Sequence, residues 1–142
     1  VRWSIILVVV WSMVSYYVII MLAAMQGIDS SYYEAARLDG ASNRQMFFKI
    51  TLPMLTPMIF FSVIMVTIGI LQIFDFIYLM VDRDTLSYTY SMSLVTYFYE
   101  CAFNKSSMRG YGAAISVVLA AIIMVITIIQ MIGKKYWVRS DL

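Results

Sequence analysis

Side chains able to do chemistry are few in this chain and unevenly spread. There is no histidine, and Cys101 is the only cysteine, so the usual acid/base of neutral pH, a thiolate cluster and an internal disulfide are all lacking. Charged groups concentrate between residues 29 and 53, where Asp29, Glu34 and Asp39 alternate with Arg37, Arg44 and Lys49. Groups so arranged suit ion pairing with a soluble partner better than catalysis, since no pair of carboxylates clusters. A second, sparser set is Tyr16, Gln72 and Asp75. Tyrosine offers a ring face for stacking, and Gln and Asp exchange hydrogen bonds with hydroxyl groups, so these three are candidates for a polar solute path. Gly133-Lys134-Lys135 lacks the leading glycine and the hydroxyl of a phosphate-binding loop. No cofactor and no metal are therefore expected on this chain. A net charge of +2 without a long basic run gives no footprint for nucleic acid.

The elements that must position these groups are apolar. Of 142 residues 63% are hydrophobic and 13% charged, against roughly half and a quarter in soluble domains. That composition predicts an all-α integral membrane fold. Three spans are expected, at about 3–25, 54–80 and 111–132, each long enough at about 1.5 Å per residue to cross a hydrocarbon core of about 30 Å. Ser12, Ser15, Tyr16 and Ile19 share one face of the first span, for interhelical hydrogen bonding or for a polar path. Pro57 falls in the first turns of the second span, and Gln72 and Asp75 lie one turn apart near its end. An aspartate at a helix centre costs about 2.5–3.5 kcal/mol on insertion scales, less near an interface. Residues 82–110 are polar and aromatic, with Tyr88, Tyr90, Tyr97, Phe98, Tyr99 and Phe103, and suit an external interfacial helix. Gly112, Ser116 and Ala120 give the third span a small-residue face, and Tyr136 and Trp137 read as interfacial anchors beside Lys134 and Lys135. Lys and Arg in the 29–53 loop and in the tail, including Arg139, favour a cytoplasmic placement of both. The chain begins at Val1 directly on an apolar run, which suggests part of a longer protein.

Between the first two spans the sequence predicts two short helices joined at Gly40. Ser31 precedes Glu34 by three residues and Ser42 precedes Gln45 by three, both capping-box spacings. Gly40 suits the left-handed end of the first helix, and Pro53 restricts Leu52 and marks the end of the second. Met46, Phe47 and Ile50 give the second helix an apolar face towards the membrane base. A helix–turn–helix so placed reads as a docking element for something outside the membrane.

Glu34-Ala35-Ala36, three residues, Gly40, nine residues, then Ile50-x-Leu52-Pro53 resembles the EAA motif of membrane subunits of binding-protein-dependent ABC importers. The stretch from Tyr33 to Ser42 is similar to the carbohydrate branch, the maltose- and glycerol-phosphate-type permeases, as are Phe74-Asp75-x-Ile77-Tyr78 and Tyr111-Gly112-Ala113-Ala114. The resemblance covers the whole chain but implies only the C-terminal half of a permease, the last three of about six spans. Val81-Asp82-Arg83-Asp84 stands where many relatives carry a Gly-rich stretch. The family implies that Glu34, Ala35, Ala36, Asp39, Gly40, Ile50, Leu52 and Pro53 form the interface with a cytoplasmic ATPase dimer, which supplies the ATP and Mg chemistry. It further implies a second, related permease subunit, an external solute-binding protein, and import of a sugar or sugar-like solute across the cell membrane. A non-sugar solute, or a non-translocating membrane subunit that docks a soluble partner, are the alternatives.

Overall fold

Three helical stretches are long and apolar enough to cross a membrane: Arg2–Gln26, Asn43–Leu71 and Arg109–Lys134. The computed structural model describes residues 2–137, without the side chains of Ser106 and residues 135–137. The side chains of Tyr136 and Trp137, and the whole of Arg139, thus lie outside what is described. Helix α1 is Arg2–Gln26, and α2, Ser30–Leu38, follows after a short turn. Helix α3, Asn43–Met46, runs through a π-helical turn at Phe47–Thr51 into α4, Leu52–Leu71. Short helices α5 (Asp75–Met80), α6 (Leu86–Ser91) and α7 (Leu94–Tyr99) come next, then a second π turn at Glu100–Asn104 and finally α8, Arg109–Trp137. Among the described residues all regular structure is helical, as expected where lipid leaves backbone groups only internal partners.

Helix α4 is the middle element, contacting α1 on one side and α8 on the other. Helix α1 runs antiparallel to the chain from α4 to α6. Its Ile5 and Val9 pack with Ile77, Val81 and Tyr88, while Met13, Ile73, Phe76 and Met92 close the cluster from the side. A Cβ on Gly69 of α4 would lie 3.6 Å from Met13 Cε, so the helices approach closely there. Large apolar side chains elsewhere face outward, among them Trp3, Trp11 and Ile19 on α1 and Val117, Ile129 and Ile132 on α8. In hydrocarbon that exposure is solvation, so the burial rules of soluble domains do not apply.

The second span differs from the sequence expectation at both ends. Pro53 does not end the helix before it. Leu52 is fully helical at φ −64° and ψ −44°, and its N–H reaches five residues back to the Phe47 carbonyl. Proline at 53 has no N–H to give and its ring would crowd the carbonyl four residues earlier; the wider π turn just before it gives that carbonyl room, and the helix continues. Pro57 falls inside α4 rather than in a first turn with free N–H groups. At the other end the expected span to residue 80 stops at Leu71, for Gln72 turns away at φ −100° and ψ 12° and Phe74 lies at φ −135° and ψ −57°. Met13 lies midway along α1 and packs at Gly69, and α5 carries on against Ile5 and Val9. The break therefore falls within the length of α1, not beyond its end.

Residues 82–110 do not form one interfacial helix. After α6 the chain returns to the break, where Ser93 Oγ donates to the Ile73 carbonyl at 2.6 Å. The same oxygen accepts from the Thr96 N–H at 3.1 Å and so caps α7. From there α7 and the second π turn lie along the first turns of α8. Gly112 makes that approach possible: a Cβ there would meet Ala102 N and Cβ at 3.1 Å and its Cα at 3.2 Å. Of the small-residue face, Ser116 bonds its own helix at the Ala113 carbonyl, and Ala120 is exposed. Backbone cannot yield as a flexible side chain would, so Gly112→Ala is expected to cost about 1–3 kcal/mol. Gly110→Ala, with nothing within 4 Å of its Cβ, is the control. Thermal unfolding in detergent should separate the two variants.

Candidate functional site: the polar hairpin and the broken helix

The hairpin is held mainly by local hydrogen bonds. Helix α2 starts at Asp29, whose carboxylate accepts from the Ser31 N–H at 2.9 Å. These bonds hold the Asp29 carboxyl below its ordinary range. Ser31 is thus the second residue of the helix and not its cap, which corrects the box expected between Ser31 and Glu34. The second box is present: Gln45 Oε1 accepts from the Ser42 N–H at 2.8 Å, and Ser42 Oγ accepts from the Gln45 N–H at 3.4 Å. Between the helices Gly40 takes φ +76°. Its N–H reaches the Arg37 carbonyl at 3.0 Å and the Ala41 N–H reaches Ala36 at 2.9 Å, the paired bonds of a Schellman ending.

This hairpin sorts its side chains into two faces. On α2, Tyr33 and Ala36 turn inward and are half-buried, while Glu34, Ala35, Arg37 and Leu38 face out with Asp39 and Gly40. Leu38 is 90% exposed. The sequence reading passed it over, although its spacing of four from Glu34 puts both on one face. A groove of about 360 Å³ lies between the helices, lined by residues including Ala36, Asp39, Gly40, Met46, Lys49 and Ile50. Met46 is 5% exposed, whereas Phe47 and Phe48 stand out in edge-to-face contact at 5.2 Å; of the expected apolar face, Phe47 does not turn inward. Leu52 and Pro53 belong to the start of α4. Tyr33 Oη lies 2.8 Å from Thr51 Oγ1 and ties α2 to the π turn.

Tyr16, Gln72 and Asp75 do not converge into one polar cluster. Tyr16 is exposed and meets Tyr17 edge-on at 5.2 Å. From the Met13–Gly69 contact, Tyr16 lies three residues towards the hairpin and Gln72 three residues the other way, a stagger of about 9 Å at the helical rise. The break between Gln72 and Asp75 removes their shared helical face, and both are exposed; Asp75 opens α5, where a carboxylate suits the helix N-terminus. Among the described residues no hydrogen bond links the three. Ser15 turns its hydroxyl back to the Trp11 carbonyl at 3.1 Å rather than across to another helix. Gln130 of α8, which the sequence reading passed over, donates to Thr67 Oγ1 of α4 at 2.8 Å.

Beyond the break four aromatic residues gather. Phe74, Tyr78, Tyr99 and Phe103 have successive ring centroids 4.9 to 5.1 Å apart, and the Arg83 guanidinium lies 4.0 Å from the Tyr78 centroid. Beside them Tyr88 donates to Glu100 Oε1 and Asn104 to Oε2, each at 2.8 Å. Burial and the bond to Glu100 push the Tyr88 phenol up to about 12. Burial would also raise Glu100, but the bonds from Asn104 and Tyr88 and the nearby Arg83 bring it below its ordinary value. No local spacing announces this set, since π-helical and turn segments join its members. Among the described residues no three His, Cys, Asp or Glu side chains gather as a metal site.

Two measurements check these assignments. Asp29→Ala should speed amide exchange in the first turn of α2, while Ser31→Ala, which keeps the accepting carboxylate and the donating N–H, should not. The lowered carboxyl of Glu100 contributes stability that is present above the unfolded value of about 4.3 and fades as pH falls through its lower folded value. The raised phenol of Tyr88 contributes below about 10, and that contribution fades as pH rises through its folded value. Unfolding scans against pH should show Glu100→Gln losing part of the acid-side dependence while gaining none at neutral pH.

Residues 1–136 match the family model described as binding-protein-dependent transport system inner membrane component. The chain is 40% identical over 98% of its length to the probable ABC transporter permease YesP of Bacillus subtilis. It is 36% identical over 92% to the lactose transport system permease LacF of Rhizobium radiobacter, and 34% identical over 90% to the trehalose/maltose transport system permease MalF of Thermococcus litoralis. It spans 44% of the length of YesP and LacF and 42% of MalF. No solved structure matches. With nearly its whole length matched and three membrane-length helices around the Glu34–Pro53 hairpin, the chain belongs to the inner-membrane components of binding-protein-dependent transport systems.

Proposed function

We propose that this chain is the C-terminal half of a permease subunit that moves a sugar or sugar-like solute, driven by a separate ATPase that docks on the α2–Gly40–α3 hairpin. The observation that carries the reading is the hairpin itself. Nine residues of α2, none of them buried, stand on a left-handed glycine beside a membrane-length helix, with an anionic and an apolar residue on one outward face. Glu34 pairs with a basic group of the ATPase, Ala35 on the outward face allows close approach with the half-buried Ala36 behind it, and Leu38 adds apolar area for the ATPase to cover. Asp39, Ile50, Leu52 and Pro53 complete the ATPase-facing region. This docking puts the hairpin and the C-terminus on the cytoplasmic side, as the Lys and Arg distribution also favours. ATP and Mg bind the ATPase dimer, and its closure re-orients the spans.

A second, related permease subunit and an external solute-binding protein complete the importer. The carbohydrate assignment is supported by relatives named for lactose and for trehalose/maltose transport. Tyr16, Gln72 and Asp75 line the solute path at staggered depths, Tyr16 on α1 and the other two at the break, where irregular backbone within a membrane suits a hydrated cavity.

Glu34→Lys or Gly40→Pro, assembled with the partner subunits, should lower transport-coupled ATP hydrolysis roughly tenfold or more, in line with loss of a buried interfacial charge pair, while membrane insertion is unchanged. Full activity in either variant would remove the docking assignment. For the path, Gln72→Leu and Asp75→Leu should weaken apparent solute affinity in uptake assays; wild-type kinetics would return both residues to packing roles.

A further inference from the structure

Resting on the docking reading, we infer that Tyr33 and Thr51 form a strut that carries movement of α2 into the membrane helix α4. Helix α2 is otherwise loosely attached. It has no buried residue, and the groove of about 360 Å³ behind it leaves room for it to rock. Among the described residues, the Tyr33 Oη–Thr51 Oγ1 contact at 2.8 Å is the one side-chain hydrogen bond between α2 and any later element.

The Thr51 end is unusual within its own helix. Thr56, Ser62 and Thr67 each turn the hydroxyl back to a carbonyl four residues earlier, the ordinary arrangement for these residues in apolar helices. Thr51 meets Tyr33 instead, and at 4% exposed it shields its end of the bond from water. It also closes the π turn that Pro53 follows. A π turn is a local departure in helix winding, often found where function requires it. On the other side, Tyr33 sits on the inner face of α2, next to Glu34 on the outer face. A push on Glu34 and Leu38 therefore reaches α4 through a rigid phenol ring, at the one turn of the helix that is wound differently.

The test uses the assembled complex with its ATPase, ATP and Mg as the probe, and spin labels on Ile19 of α1 and Ile129 of α8, both exposed. Tyr33→Phe and Thr51→Val should each lower the ratio of switched to unswitched label distances by about three- to tenfold, the range to which one net hydrogen bond converts. Thr51→Ser, which keeps the hydroxyl, should retain the wild-type ratio, and Tyr33→Phe with Thr51→Val should be no worse than either alone. ATPase co-purification should persist in all of them. Wild-type ratios in both single variants, or effects that multiply in the double, would overturn the strut with docking intact. Co-purification indifferent to Glu34→Lys and Gly40→Pro would overturn the docking reading, and the strut with it.

Discussion

A helix that stops leaves carbonyls without partners inside the helix, and one half of this chain folds back onto such a break. Helix α4 ends at Leu71, and the Ile73 carbonyl finds its donor in Ser93, twenty residues on. To deliver that hydroxyl the chain must leave the break, form α5 and α6, and return. The return brings α7 and the second π turn against α8, which is why Gly112 has no space for a side chain. It also brings Glu100 to Tyr88 and Tyr99 to Tyr78. The Ser93–Ile73 bond thus joins the two ends of a twenty-residue excursion, and the aromatic cluster forms beside it.

At the other end a missing donor plays the same part. Pro53 has no N–H, and the helix answers with a π turn instead of stopping. The widened turn places Thr51 where Tyr33 reaches it, so the hairpin is tied to the membrane helix at the point where its winding changes. Both ends show irregular helix where backbone hydrogen bonding is interrupted, and in both a side chain from a distant segment occupies the irregular site. A continuous 3.6-residue helix from 43 to 80 would provide neither the break nor the tie to the hairpin.

The legible features were those decided by neighbours in sequence. Gly40 and the Ser42–Gln45 box could be read because a glycine three residues after Arg37 and a hydroxyl three before Gln45 act within a single turn. Three membrane-length helices could be read from apolar length. The cap at Asp29 was missed because two good caps stand two residues apart and only backbone geometry chooses between them. The break at Gln72 was missed because the apolar run continues to Met80 and its interruption depends on a serine far along the chain. Gln72 and Asp75 were expected on one face because helical spacing was carried across that break. Leu38 was passed over because its significance lies in its exposure, which no pattern of hydropathy reports.

The central claim is that the outward face of α2 meets the ATPase. The native Cys101 is 1% exposed, so it offers little background to thiol chemistry. Leu38→Cys and, as a control on α5, Leu79→Cys, 80% exposed, can be treated with a short thiol-to-amine cross-linker in the assembled complex. The account predicts a covalent adduct between residue 38 and the ATPase, altered in yield by ATP with Mg, and none from residue 79. No ATPase adduct from residue 38, in a complex that still hydrolyses ATP, would contradict it.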